Sequence, residues 1–159
     1  MRYQVRQKII SIGDSYSIKD EMNNDKFSVK SEVFSFGHKL YLTSLTENET
    51  AYIEQKLLNF LPTYNIYLNG NYAARMRKEL TFFTPRFEIE SVLGNYSITG
   101  DILSHDFEIL KNNIPVAQVS KAWISLSDTY GVDISDSENQ AFILSLIIIL
   151  DEVMYSNNN

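Results

Sequence analysis

The run AFILSLIIIL, from Ala141 to Leu150, limits what this chain can fold into more than any other stretch of its sequence. Nine of its ten side chains are apolar, and Ser145 is the exception. A helix that spans a bilayer needs about 20 apolar residues, whereas a run of about 10 to 14 is typical of a buried core helix. Acidic residues flank the run, with Asp151 and Glu152 directly after it, so a longer span would bury carboxylates in lipid. The run therefore predicts a core helix rather than a membrane anchor.

The residues around this run predict where the helix begins and ends. Ser137, with Gln140 three residues later, forms a capping-box pattern, which places the helix start just before the apolar run. We expect the helix to end near Met154 or Tyr155, and the last residues, 156–159, to form a disordered tail.

A helical wheel of the run has no polar stripe, so the helix must be enclosed on all sides. Since its length excludes lipid, protein must enclose it. An antiparallel barrel can surround a helix and also removes exposed sheet edges. A barrel of about eight strands is filled by its own side chains, so one that holds a helix needs on the order of eleven or twelve. The predicted fold class is mainly β, an antiparallel closed barrel of about twelve strands around a buried hydrophobic C-terminal helix.

The composition fits one domain and argues against several classes of protein. We expect residues 1–155 to form a single domain, and ten Tyr and nine Phe against one Trp favour strands. The absence of Cys excludes disulfides, thiolate metal sites and a Cys nucleophile. A net charge of -6 argues against nucleic-acid binding, which needs a basic surface. The N-terminal segment has no signal-peptide pattern, so we expect a cytoplasmic protein.

Strand signals recur from residue 3 to residue 134 as alternation of apolar and polar residues. Apolar residues on one side of the alternation are predicted to face the core. They include Phe34, Phe36, Leu40 and Leu42 in VFSFGHKLYL, Ala51, Ile53 and Leu57 in ETAYIEQKLLNF, and Ala74, Met76, Leu80 and Phe82 in YAARMRKELTF.

Pairs of Asn and Gly residues predict the turns between these strands, because both residue types tolerate a positive φ. The predicted turns are Asn23-Asn24, Asn69-Gly70, Gly94-Asn95 and Asn112-Asn113. Segment 64–78 also aligns with segment 107–121, and the two turns fall at the same position of the alignment. Two matched hairpins favour a meandering antiparallel sheet.

Six segments, taken in their order along the chain, resemble those of a known family. They are RQKIISIGDSYSIKDE, VFSFGHKL, AYIEQKLL, YNIYLNG, VSKAWISLSDTYGVDI and AFILSLIIILDEV. Together they resemble the LURP-one-related family, which is part of the tubby C-terminal-like superfamily and is related to the phospholipid scramblases. The resemblance implies a twelve-stranded barrel threaded by a hydrophobic C-terminal helix. It implies no defined activity, although tubby proteins bind phosphoinositides and scramblases act at membranes.

Two histidines and one pair of glutamates are the candidates for metal or acid–base chemistry. His105 has aspartate neighbours, but no ligand pattern completes a metal shell, so we interpret it as a hairpin-loop histidine. His38 falls on the apolar side of its strand, which is typical of a core or rim histidine. Glu88 and Glu90 share one face of a strand, which is common on solvated sheets. We therefore predict no catalytic residue, no metal site and no cofactor.

Basic residues form the candidate lipid-binding site. Arg75 and Arg77 lie on the outward side of their strand, and together with Arg86 they are the predicted lipid-binding residues. Three further basic residues join this patch if the fold brings them together, namely Arg2, Arg6 and Lys8. The alternative is a scattered set of solvated charges.

Lys78 and Lys121 occupy matched positions of the repeat, on the apolar side of their strands. Because an acid is unfavourable at the C-terminal end of a helix, we expect these lysines to pair at the barrel rim with acids such as Asp151.

The sequence thus predicts a non-enzymatic binding or scaffold module. Its partner is a protein or a small ligand that binds the rim, a loop cluster or the outer wall, because the helix fills the barrel lumen. The alternative is a peripheral membrane protein that binds anionic phospholipid through the basic patch. An enzyme with an unrecognised site ranks third.

Overall fold

The computed structural model describes residues 1–7, 13–32 and 36–155. Over these residues, twelve strands form one antiparallel sheet, followed by a single α-helix, α1, at Gln140–Tyr155. The strands are β1 (Arg2–Arg6), β2 (Ser15–Asp20), β3 (Asp25–Ser31), β4 (Lys39–Ser44), β5 (Thr50–Gln55), β6 (Thr63–Leu68), β7 (Asn71–Lys78), β8 (Phe87–Ser91), β9 (Tyr96–Asp101), β10 (Asp106–Lys111), β11 (Ile114–Ser120) and β12 (Thr129–Ile134). The predicted tail, 156–159, lies outside the described residues.

The sheet curls into a nearly closed barrel, which confirms the predicted fold class. Apart from β8 and β9, strands that are consecutive in the sequence pair with each other, and β1 also pairs with β12, with Tyr3 opposite Val132. Only β8 and β9, which are consecutive in the chain, stand at the two ends of the strand order and do not pair. The barrel is therefore a meander whose seam lies between β8 and β9.

Because the strands alternate in direction, every second connection lies at the same end of the barrel. We call the end that carries the β1–β2, β3–β4, β5–β6, β7–β8, β9–β10 and β11–β12 connections the distal end. The opposite end is the entry end, because α1 begins there after β12. The last turn of α1 reaches the distal end, where Tyr155 donates a hydrogen bond to the Leu103 carbonyl in the β9–β10 connection.

Helix α1 lies inside the barrel, and every residue from Ala141 to Val153 is buried. The one polar side chain in its apolar run, Ser145, donates to the Ala141 carbonyl at 2.7 Å, so its hydroxyl is satisfied within the helix. No helix in the described part of the chain has both the length and the apolar character to span a bilayer. The predicted core helix is confirmed, and it includes Tyr155, the last of the described residues.

The start of α1 differs from the capping-box prediction. Asn139, not Ser137, is the capping residue, since its Oδ1 accepts the Phe142 amide at 2.8 Å. The Gln140 amide group turns back to the carbonyls of Ser135 and Glu138 instead of completing a box. The helix begins at Gln140, and Asn139 caps its first turn.

The predicted alternation holds inside the strands and fails beyond their ends. The inward residues of β4, β5 and β7 are buried as expected, namely Leu40, Leu42, Ala51, Ile53, Ala74 and Met76. Four other residues predicted to face the core are exposed, namely Phe36, Leu57, Leu80 and Phe82. They lie in connections, where the period of two no longer applies. Phe34 lies outside the described residues.

Three of the four predicted turns close hairpins. Asn23, Asn69 and Asn112 all have positive φ angles, of 67°, 46° and 51°. Gly94-Asn95 connects β8 to β9, but these strands do not pair, so the prediction of a hairpin there is wrong. The side chain of Asn112 and the backbone of Asn95 hold the β8–β9 connection against the β10–β11 turn instead.

The repeat predicted from segments 64–78 and 107–121 is visible in the structure. The two segments form the β6–β7 and β10–β11 hairpins. Each hairpin has its register shift at the same aligned position, after Ile66 in one and after Ile109 in the other. Since a bulge bends the strand that carries it, the two hairpins curve the sheet in equivalent ways.

Candidate functional site

Two buried acids end the core helix at the distal end of the barrel. Asp151 and Glu152 follow the apolar run directly, so the helix carries them into the enclosed space with it. A carboxylate there faces both desolvation and the negative end of the helix dipole. Each acid consequently needs a partner with a donor or a positive charge.

Asp151 is bound by His105 and Tyr130. His105 Nε2 lies 2.9 Å from Asp151 Oδ1, and the Tyr130 hydroxyl donates to Oδ2 at 2.5 Å. The His105 ring stacks between Tyr130 and Tyr155, with centroids 4.2 and 5.3 Å away. Burial raises the pKa of Asp151 above its usual value, while its hydrogen bonds to His105 and Tyr130 oppose that rise.

Glu152 is paired with His38, which comes from the β3–β4 connection. His38 Nδ1 lies 2.8 Å from Glu152 Oε2, and the imidazole is half-buried whereas the carboxylate is fully buried. The hydrogen bond to Glu152 raises the pKa of His38 above its ordinary value, against the effect of burial. The structure thus makes His38 the rim histidine that the sequence predicts.

The structure corrects the predicted partners of the helix acids. Asp151 pairs with His105 and Tyr130, and within the described part of the chain no carboxylate lies within 4.0 Å of the Lys78 or Lys121 ammonium group. His105 does lie in a hairpin connection, as expected, but it is buried rather than solvated. A buried imidazole suits a buried acid better than a long ammonium side chain, because it is smaller and less strongly hydrated.

Among residues 1–7, 13–32 and 36–155, no group of three or more His, Cys, Asp or Glu side chains is arranged to hold a metal ion. Glu88 and Glu90, the other candidate acids, lie on the outer wall and bind Arg77 and Arg75.

Exposed aromatic side chains form a second feature of the distal end. Four phenylalanines are almost fully exposed: Phe36 at 89%, Phe60 at 93%, Phe82 at 95% and Phe83 at 97%. They lie in the β3–β4, β5–β6 and β7–β8 connections, which are neighbours around the barrel. Three leucines of the same connections are also exposed, namely Leu57, Leu58 and Leu80. We call these seven residues the aromatic rim.

Backbone hydrogen bonds close the connections that carry the aromatic rim and join them. The β5–β6 connection is closed by Lys56 N to Thr63 O, and the β7–β8 connection by Glu79 N to Arg86 O. A hydrogen bond from Lys78 N to Pro62 O, at 2.9 Å, links these two connections. A hydrogen bond from Gln55 N to His38 O links the β3–β4 connection to the end of β5. These hydrogen bonds hold the three connections next to one another at the distal end, with their aromatic side chains exposed.

The predicted lipid-binding arginines lie along one stretch of the barrel wall, the β7–β8 ladder and its last backbone hydrogen bond, from Glu79 N to Arg86 O. Arg75 and Arg77 face outward from β7 and bind Glu90 and Glu88 of β8 at 2.8 and 2.5 Å, so each charge is locally balanced. Arg86 lies at the base of the β7–β8 connection, and none of the described carboxylates is within 4.0 Å of it.

The remaining basic residues of the predicted patch do not join the aromatic rim. Arg2 and Arg6 lie on β1, where they pair with Asp133 and Asp128. Lys8 lies outside the described residues. Arg86 and Lys78 are therefore the cations that accompany the aromatic rim without an ion-pair partner in the described structure.

The twelve-stranded barrel, its core helix and the order of its segments can now be set against known proteins. A family model described as LURP-one-related matches residues 1–151. The chain belongs to this family. The LURP-one-related chain is also similar to the protein named "Uncharacterized protein YxjI" of Bacillus subtilis (strain 168). The identity is 31% over 155 residues, which cover 98% of this chain and 94% of that protein. No solved structure significantly matches this LURP-one-related chain.

The sequence prediction missed both features of the distal end, for different reasons. The His105–Asp151 contact joins residues 46 positions apart and has no local signal. The aromatic rim does have a local sequence signal, in the adjacent apolar pairs Leu57-Leu58 and Phe82-Phe83. A strand cannot bury both residues of such a pair on one face, because its side chains alternate between faces.

Proposed function

We propose that this chain is a non-enzymatic binding module that attaches to a membrane surface through its aromatic rim. The observation that carries the proposal is the set of four nearly fully exposed phenylalanines in three neighbouring connections. Clustered exposed apolar side chains mark interaction sites, and Phe and Leu are residues that bury at the boundary between lipid headgroups and acyl chains. The proposal therefore differs from the basic patch that the sequence predicts, because apolar insertion supplies most of the affinity.

The charges beside the aromatic rim favour an anionic surface. Arg86 and Lys78 lie at the base of the β7–β8 connection and have no carboxylate partner among the described residues. Each basic residue close to an anionic leaflet contributes about 1 kcal/mol. Arg75 and Arg77 contribute less, since Glu90 and Glu88 already balance their charges.

The near-complete exposure of the phenylalanines of the aromatic rim favours lipid over a small ligand. Small-molecule sites are concave and enclose most of their ligand, whereas these side chains protrude. The barrel lumen offers no alternative, because α1 fills it with buried residues from Ala141 to Val153.

Flotation with vesicles tests this proposal. We expect the protein to float with vesicles that contain phosphatidylserine, and more weakly with pure phosphatidylcholine. Replacing Phe82 and Phe83 by Ser should abolish flotation, and Arg86→Ala should weaken binding only to the anionic vesicles. The phenylalanines are exposed, so the folded state should survive both changes.

A matched control uses exposed apolar residues at the opposite end of the barrel. Met22 and Val92 lie in the β2–β3 and β8–β9 connections at the entry end, and replacing both by Ser should leave flotation unchanged. Absence of flotation with every vesicle, or equal loss in the control variant, would exclude the aromatic rim as a membrane site. The partner would then have to be sought among proteins and small ligands.

A further inference from the structure

The seam of the barrel leaves two strand edges without a partner. Strands β8 and β9 are joined by only four residues, 92–95, yet they form no ladder, although both strands are fully described. Since alternate residues of an antiparallel strand direct N–H and C=O to the same side, each edge presents free donors and acceptors to the seam. The other strands of the described barrel are paired on both sides.

A groove of about 400 Å³ follows the seam. Four consecutive residues of β9, from Ser97 to Gly100, line it, whereas β8 contributes only Phe87. Phe87, Ile98 and Ile102 give the groove an apolar part, and Glu79 and Arg86 supply charges of opposite sign. The free edge that the groove follows is therefore that of β9.

The free edge of β9 lacks the features that normally block an exposed strand. Natural proteins protect such edges with Lys, Pro or a bulge. The stretch Ser97–Gly100 contains neither Lys nor Pro, and the β9–β10 ladder has no register shift and so no bulge. Ser97, Thr99 and Gly100 are exposed to solvent, so another backbone can approach them. An unblocked edge beside a groove is the arrangement that strand addition requires.

We propose that the seam binds an extended segment of a partner protein, which adds as a strand to the free edge of β9. An extended polypeptide supplies alternating donors and acceptors at the spacing of the edge, and an apolar side chain of it fits against Phe87, Ile98 and Ile102. The balanced charges of Glu79 and Arg86 favour a segment of low net charge.

The β7–β8 connection contributes Thr84, Pro85 and Arg86 to the groove, so the site borders the aromatic rim. Strand addition to β9 needs no lipid, so its test is made without vesicles. A phage-displayed library of random heptapeptides serves as the probe, selected on the full-length protein. The edge-blocked variant is Ser97→Lys with Thr99→Lys, which places two charges on exposed positions of β9. The matched control is Thr43→Lys with Gln118→Lys, since both residues are exposed on strands that are paired on each side.

The expected result has three parts. Selected peptides should bind the edge-blocked variant at least about tenfold more weakly than the wild type and bind the control variant normally. In the free protein, the seam-facing amides of residues 97–100 should exchange faster with deuterium than those of β10. On addition of a selected peptide, their exchange should slow by at least about tenfold.

Several outcomes would overturn the proposal. Equal binding to the edge-blocked variant would place the peptides elsewhere, and enrichment of no peptide would show that the seam takes no strand. Full protection of amides 97–100 in the free protein would mean that the seam is closed in solution. Self-association that the edge-blocked variant abolishes, seen by analytical ultracentrifugation, would make a second copy of this chain the occupant.

Discussion

At the scale of single residues, the distal end of the helix shows how buried acids are accommodated. Asp151 and Glu152 are held in place by the hydrophobic run before them, and two histidines from distant connections compensate them. These are also the two histidines of the whole sequence. The pairs therefore couple the helix end to the β3–β4 and β9–β10 connections.

The His38–Glu152 pair makes stability depend on pH. The folded state raises the pKa of His38 above 6.5, so its contribution is fully present below about pH 6.5 and is lost as the pH rises through the raised value. The folded state also raises the pKa of Asp151. Its contribution to stability is therefore also lost as the pH rises, but this loss begins in the acid range. Urea unfolding between about pH 6 and pH 8 should give a falling free energy of unfolding.

His38→Gln is the comparison for this measurement. The variant keeps a hydrogen-bond donor near Glu152 but cannot titrate, so its unfolding free energy should change less over the same pH interval. Identical slopes for the wild type and the variant would show that His38 does not contribute to the pH dependence.

At the scale of secondary-structure elements, local signals decided most of the fold. The Asn-containing turns supply the positive φ values that three hairpins need. The alternation within β4, β5 and β7 places their apolar residues inside. The same rule failed for Phe36, Leu57, Leu80 and Phe82, because the strands do not extend to these residues. Only the tertiary structure sets where a ladder begins and stops.

The N-terminal cap of α1 gives a prediction at this scale. Asn139→Ala removes the side chain that accepts the Phe142 amide at 2.8 Å. We expect the free energy of unfolding to fall by about 1 kcal/mol, measured by urea denaturation. Ser137→Ala is the matched control, since Ser137 lies two residues earlier and only contacts the Ser135 hydroxyl. If Ser137→Ala lowered the free energy of unfolding as much as Asn139→Ala, Asn139 would not be the capping residue.

At the scale of the whole molecule, the helix and the barrel depend on each other. A twelve-stranded barrel has room that its own side chains do not fill, and α1 occupies that room with buried residues from Ala141 to Val153. The helix in turn has no polar face that could be exposed to water. Neither part is expected to be stable alone, so the helix must be docked before the barrel is complete.

Ile147→Asp tests this mutual dependence. Ile147 is 1% exposed in the middle of the helix, so the new carboxylate would be buried without a partner, at a cost of several kcal/mol. We expect no cooperative unfolding transition by circular dichroism, and loss of dispersed amide resonances. Ile147→Val is the control, because it keeps the apolar character and costs only about 1 kcal/mol. A soluble Ile147→Asp variant that unfolds cooperatively would contradict the central-helix arrangement.

The sequence by itself determined the fold class, the core helix and most hairpins, because apolar periodicity and turn chemistry are local properties of the chain. It also indicated the repeat, which the structure shows as equivalent bulges after Ile66 and Ile109. Only the tertiary structure decided which ends of strands stay unpaired, where connections protrude and which partners the buried acids find. These features depend on contacts between residues far apart in the chain, and no local pattern records such contacts.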